Sequence, residues 1–167
     1  MRELLPHAER VAALLKQRGE LVAVAESSAG GLITAALLAV PGASAYCRGG
    51  AVIYTRQVWM AFRDMNQEMF TGIRSASEDY ALFEARTIRD RFSANWGIGE
   101  TGAAGPTGNR YGDAAGHACI AAAGAIERAI TLETGSSDRV ANMYTFAGAA
   151  LKLLADCLVQ AGERAQR

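Results

Sequence analysis

Hydroxyls, carboxylates and glycines gather at two places in this chain. Glu26-Ser-Ser-Ala-Gly-Gly31 follows the apolar run Leu21–Ala25, and Thr101-Gly-Ala-Ala-Gly-Pro-Thr-Gly108 follows Trp96-Gly-Ile-Gly-Glu100. Each run begins where a buried strand would end, and in α/β sheets ligands bind at that end of the strands. Glycine allows the backbone a positive φ and a close approach to a ligand, and N–H groups at a following helix start attract anions. A small-molecule pocket is the leading expectation. Ser27, Ser28, Gly30 and Gly31 would line one side of it, and Thr101, Gly102 and Gly105 the other. Ser27 and Ser28 are also expected to cap the next helix, leaving the N–H groups of that turn open to a phosphate or carbonyl oxygen. Glu26 either orients a ligand or bonds to loop N–H groups as scaffold, and scaffold is the preferred reading. Glu100 and His117 are the other titratable groups near the pocket. His117 offers a base or a structural contact.

The elements that must position these residues follow from periodicity. Leu4, Val11, Leu14 and Leu15 have helical spacing over Glu3–Arg18, and Gly19 is a C-terminal stop. Leu21–Ala25 reads as a strand and Leu32–Leu38 as a helix ended by Pro41-Gly42. Tyr46–Thr55 reads as a strand with Gly49-Gly50 as a bulge or close approach. Gln57–Asp64 is a short helix, and Ser77 caps a longer one that reaches Phe92. Asn95–Thr101 is a third strand. Gly116–Ala123 and Ile126–Glu133 are hairpin strands about Gly124-Ala125, and a last helix runs from Ser136–Asp138 to about Val159. Helices and strands alternate before a closing hairpin and helix. That order predicts a three-layer α/β/α sandwich with a mixed sheet, one domain over residues 1–167.

Composition narrows the function. The 167 residues are 50% hydrophobic and 20% charged with zero formal net charge, a globular profile that excludes nucleic-acid binding by bulk charge. No apolar stretch approaches the ~20 residues of a membrane span, and the first residues carry no signal-peptide core, so a cytoplasmic protein is expected. Cys47, Cys119 and Cys157 are odd in number and widely spaced, which predicts free thiols and no metal site. No cofactor is implied, and a homo-oligomer is compatible with the sequence.

With these segments in place the chain resembles a known family, the C-terminal domain of the competence/damage-inducible protein CinA, which includes nicotinamide-nucleotide amidases (NMN deamidases). The resemblance rests on Ala25-Glu-Ser-Ser-Ala-Gly-Gly31, Gly42-Ala-Ser44, Gly49-Gly-Ala-Val-Ile-Tyr54 and Thr101-Gly-Ala-Ala-Gly-Pro106, in the family's order over nearly the whole chain. It implies an α/β fold, a pyridine-nucleotide ligand and amide hydrolysis by a serine that a lysine activates. By that resemblance the serine is Ser44 and the assisting tyrosine Tyr54, with oxyanion stabilisation around Thr101 and Gly102. The lysine position is Trp59. An indole N–H is a donor only and cannot take a proton from serine. Three further departures point the same way: Ala29 replaces a threonine, Asp113-Ala-Ala-Gly116 replaces Lys-Pro-Val-Gly, and Ala141 and Asn142 replace arginines. The resemblance therefore implies the family pocket with impaired hydrolysis, and Ser44, Tyr54 and Trp59 are expected to converge on it. The alternatives are a non-catalytic nucleotide- or partner-binding module and a hydrolase using His117 or Glu100.

Overall fold

The computed structural model describes residues 1–62 and 65–165. Five strands form one mixed sheet in the order β2-β1-β3-β4-β5: β1 (Val22–Glu26), β2 (Cys47–Val52), β3 (Trp96–Ala103), β4 (His117–Ala123) and β5 (Glu127–Glu133). β1 runs parallel to both neighbours, and β3, β4 and β5 are antiparallel in turn. Helices α1 (Leu5–Arg18), α2 (Leu32–Ala39) and α5 (Arg139–Ala165) cover one face, and α4 (Glu78–Arg91) covers the other. The expected three-layer α/β/α sandwich is the observed fold. No helix among the described residues is long and apolar enough to cross a membrane.

Strand alternation assigns the two faces different sizes of side chain. Val22, Val24, Ile98 and Ile120 point toward α1, α2 and α5, where they meet Leu15, Leu37, Phe146 and Leu154 in the main core. Ala23, Ala25, Gly97, Gly99, Cys119 and Ala121 point the other way. That face is nearly flat, and α4 lies directly on it. A Cβ on Gly97 would fall 1.9 Å from the Ala85 carbonyl oxygen, and one on Gly99 2.0 Å from that of Ala81.

Several local expectations are met. Gly19 ends α1 in the left-handed conformation at φ 63°, and the Ser77 side chain accepts from the Tyr80 N–H at the start of α4. Of the bulge and close approach expected at Gly49-Gly50, Gly50 is the close approach and the bulge falls one residue earlier, at Arg48. The β1–β2 register shifts opposite Val22/Ala23, and a Cβ on Gly50 would lie 2.0 Å from Thr34 Oγ1.

Boundaries differ where tertiary contacts override the local pattern. The predicted helix over 57–64 is the single turn α3 (Arg56–Trp59), and Asp64 lies outside the described residues. β3 continues two residues past Thr101 because β4 pairs with it as far as Ala103↔His117. α5 continues beyond Val159 to Ala165.

The contact between α4 and β3 sets a direct test. Gly99→Ala should cost about 3 kcal/mol or more in urea denaturation, because the methyl meets helix backbone that cannot yield. Gly148→Ala in α5 has its nearest neighbour at 3.7 Å, Leu4 Cδ2. It should instead stabilise by roughly 0.5–1 kcal/mol through helix propensity.

Candidate functional site

Two buried carboxylates build the turn at the end of β1. Glu26 and Glu100 occupy paired positions on neighbouring strands, and neither is exposed. Glu26 accepts hydrogen bonds from the N–H groups of Gly31 (3.0 Å), Ile33 (3.0 Å) and Thr34 (2.9 Å) and from the Thr34 hydroxyl (2.6 Å). It therefore caps α2, whose N-cap residue is Gly31, with no side-chain cap of its own. The expected capping by Ser27 and Ser28 is replaced by a carboxylate reaching from the preceding strand.

Glu100 accepts from Ser27 N–H (3.0 Å), Ala29 N–H (2.8 Å) and the Ser28 hydroxyl. Gly30 N–H bonds to the Ser27 carbonyl at 3.1 Å. The turn's N–H groups, expected to be open to a phosphate, are largely filled by the protein's own carboxyl groups. Burial raises the Glu100 pKa to about 7; the Ser28, Ala29 and Ser27 bonds oppose the rise and Glu26 adds to it. With three donors on its oxygens, Glu100 is a scaffold carboxylate rather than a replacement base.

Beyond the turn, at the C-terminal ends of β1, β2 and β3, lies a cavity of about 440 Å³. Ser27, Tyr54, Thr101 and Gly102 line it. Ser27 N–H donates to the Glu100 carbonyl, and Gly116 N–H donates to that of Ala103, so β3 directs Glu100 toward β1 and Ala103 toward β4. By strand alternation Gly102 turns its N–H and C=O to the side where β1 has ended, which is the cavity. Thr101 Oγ1 accepts from the Ala76 N–H at 3.3 Å, and the Tyr54 hydroxyl accepts from Arg139 Nη2 at 3.2 Å.

Other expected residues lie elsewhere. Ser28 is turned onto Glu100. Gly30 lies under Met143, and Gly31 opens α2. Gly105 packs against Ser137, and its carbonyl accepts from Arg139 Nη1 at 2.6 Å. Ser44 sits in a 3-10 turn, Ala43–Ala45, before β2, whereas Tyr54 follows β2. A six-residue strand separates them, about 20 Å at ~3.3 Å per residue. The fold therefore does not bring Ser44, Tyr54 and Trp59 together.

Trp59 is fully buried in an aromatic group, its ring centroid 5.6 Å from Phe62 and 6.2 Å from Phe83. Its position is core, not cavity. Behind it, among the described residues, neither oxygen of the buried Glu84 nor the Trp59 indole nitrogen has a hydrogen-bond partner. Burial, with Glu100 adding, raises the Glu84 pKa well above its ordinary value; the nearby indole and Arg56 temper the shift without a bond of normal geometry to the carboxyl.

His117 is held on both ring nitrogens. Nε2 faces the Ala76 carbonyl at 3.0 Å, Nδ1 meets Glu133, and Asp113 lies 3.8 Å away. Burial alone would lower its pKa, but Glu133, the Ala76 carbonyl and Asp113 together raise it. An imidazolium so placed is structural. Asn142 is also structural: it donates to the carbonyls of Ala104 and Ser136 at 2.8 Å each. Among the described residues no group of three His, Cys, Asp or Glu could hold a metal.

Sequence reasoning missed the opposite wall. Arg56, Ser75, Asn109, Arg110 and Tyr111 line the cavity. The readable signal was an arginine–tyrosine pair at the tip of a glycine loop, where polar side chains meet ligands. None of the described lining residues is an aspartate, glutamate, histidine or lysine.

Comparison with known proteins agrees with this architecture. The profile of the CinA C-terminal domain family matches residues 5–158. A CinA-like protein of Gloeobacter violaceus is 36% identical over 126 residues, covering 75% of this chain and 30% of that protein. A CinA-like protein of Synechocystis sp. is 42% identical over 98 residues, covering 59% of this chain and 24% of that one. The chain thus matches under a third of the length of either relative. The crystal structure of a competence or damage-inducible protein from Enterobacter asburiae superposes with a TM-score of 0.84 at 26% identity, covering 93% of this chain and 98% of that one. The competence/damage inducible protein CihA from Agrobacterium tumefaciens gives 0.81 at 27% identity, covering 93% and 94%.

The buried acids fix a pH dependence. Glu84 and Glu100 have folded values above the ordinary 4.5, so their contribution is full below that pH and is lost as pH rises toward about 7 and beyond. His117, raised above 6.5, has the same sign. Urea midpoints should therefore fall between pH 5 and pH 8, by roughly 1–3 kcal/mol in stability. Glu84→Gln should flatten that slope.

Proposed function

The chain belongs to the CinA C-terminal domain family, and from that premise we propose that its cavity binds a pyridine mononucleotide and does not hydrolyse the carboxamide at an enzymatic rate. One observation carries the reading. Among the described residues the lining supplies hydroxyls, phenols, two amides and two guanidiniums, but no carboxylate, imidazole or amine. These last are the groups that accept a proton near neutral pH.

Amide hydrolysis by serine needs a hydroxyl, a base and an oxyanion site. Ser27 has a cavity-facing position, and Gly102 directs an N–H into the same space. Ser27 therefore supports the hydroxyl role better than Ser44. The base is what the cavity lacks. Trp59, at the family's lysine position, contributes to the aromatic core instead, and Glu100 and His117 are fully engaged by other partners. Binding needs none of these groups to change. Aromatic faces and convergent polar donors in a pocket of this size suit a planar ring attached to a charged group.

Purified protein should show a rise in melting temperature with nicotinamide mononucleotide, as mass action requires of a ligand of the folded state. Ammonia release should stay at background. Turnover of about 1 s⁻¹ or more that disappears in Ser27→Ala would overturn the reading. Trp59→Lys should not create a hydrolase. It removes the centre of a packed aromatic group and buries an amine, and it should lower stability by about 3 kcal/mol or more in denaturant titration.

A further inference from the structure

The wall that faces Ser27 carries most of the cavity's charge. Arg56 directs Nε to Ser75 Oγ at 2.9 Å and Nη2 to the Ile73 carbonyl, and its guanidinium stacks on Phe70 and Tyr80 at 5.4 and 5.3 Å from the ring centroids. Arg110 directs Nη2 to the Tyr111 hydroxyl at 2.9 Å and lies over that ring at 5.1 Å. Among the described residues nothing bonds Nη1 of either arginine, and neither has a carboxylate within salt-bridge distance. A five-donor guanidinium held this way keeps one edge for a ligand.

The loop bearing Arg110 is braced. Asn109 Oδ1 accepts from the N–H groups of Tyr111 (2.9 Å) and Asp113 (3.1 Å), and Asn109 Nδ2 donates to Asp113 at 2.8 Å. Asp113 is tied in turn to Arg74 at 2.6 Å, and Arg74 donates to the Ala76 carbonyl at 3.1 Å. The arm from 109 to 113 is therefore fixed to the cavity wall before any ligand arrives. Ser75, with Arg110 and Arg56 adding, holds the Tyr111 phenol below its ordinary value against an opposing effect of burial. The two guanidiniums thus make the field at this end of the cavity positive.

We propose that Arg56, Ser75, Arg110 and Tyr111 form a phosphate-binding subsite that receives the phosphomonoester of a nucleotide whose pyridinium carboxamide lies toward Ser27, Thr101 and Gly102. The proposal rests on the nucleotide reading of this cavity and assigns it a direction. Two guanidiniums, a serine hydroxyl and a phenol offer donors to a tetrahedral dianion, and among the described residues no acid in the lining opposes it. The turn after β1, where a phosphate would otherwise sit on a helix start, is already occupied by Glu26 and Glu100. The anion is left with this wall.

Isothermal titration with nicotinamide mononucleotide, nicotinamide riboside, ribose 5-phosphate and inorganic phosphate tests the assignment in the wild type and in Arg110→Gln. Arg110 is exposed on a loop, so the variant should fold. The mononucleotide should bind about tenfold or more tightly than the riboside. Arg110→Gln should erase that difference and leave the riboside unchanged. Equal binding of mononucleotide and riboside by the wild type, or an equal loss of both in the variant, would overturn the subsite and spare the pyridine reading. Arg110-dependent binding of ribose 5-phosphate, with the mononucleotide held no more tightly, would keep the subsite and overturn the pyridine reading. Failure of all four ligands at millimolar concentration would overturn both.

Discussion

The paired carboxylates Glu26 and Glu100 are the constraint from which the site follows. They leave adjacent strands at the same level and turn into the same loop, where they satisfy the backbone from Ser27 to Thr34. An isolated buried carboxylate is costly, and several N–H donors for each make these two tolerable. Their effect reaches beyond stability. A Gly-rich turn leading into a helix is ordinarily an anion site, and here its donors are taken by two built-in carboxyl groups. The loop's N–H groups are thereby taken up, and the charged side chains lining the cavity are the arginines Arg56 and Arg110 among the described residues.

The flat face of the sheet is a second constraint with a similar reach. Glycine at 97 and 99 and alanine at 23 and 25 let α4 rest against the strands. The segment before α4 is thereby drawn over the strand ends, where Ser75, Ala76 and Tyr80 form one side of the cavity. Trp59, Phe62, Phe70 and Phe83 fill the space between that segment and the helix. The residue at position 59 is thus recruited to the architecture of the wall. Its chemistry is that of packing.

Much of the fold was legible because its signals are local. The apolar runs of β1, β3 and β4, the Ser77 cap and the Gly19 stop each declare themselves within a few residues. The site was legible only in part, because strand polarity decides which end of the sheet a residue occupies. Ser44 and Tyr54 are ten positions apart in the sequence, and β2 runs its whole length between them. Spacing alone does not distinguish such a pair from neighbours. The cap on α2 was hidden for a related reason: Ser27 and Ser28 are sound capping residues, but the longer Glu26 side chain satisfies three N–H groups at once. Arg110 and Tyr111 escaped notice because the glycines around them suggested backbone recognition, whereas Asn109 and Asp113 turn that loop into a carrier of side chains.

Ala76 joins these parts. It holds a left-handed backbone at φ 54°, its N–H donates to Thr101, and its carbonyl receives both Arg74 and His117. A non-glycine residue keeps that conformation only when its surroundings over-determine it. Here the end of β3, the start of β4 and, through Arg74, the arm from 109 to 113 all bear on one residue. The cavity is then a keyed socket more than a closing hand: its floor is assembled before a guest arrives, and little ordering entropy is left to lose at docking. Such a socket discriminates by rejection. A guest of the wrong outline meets walls that share one keystone and cannot yield separately, so tolerance of its shape is a property of the whole frame.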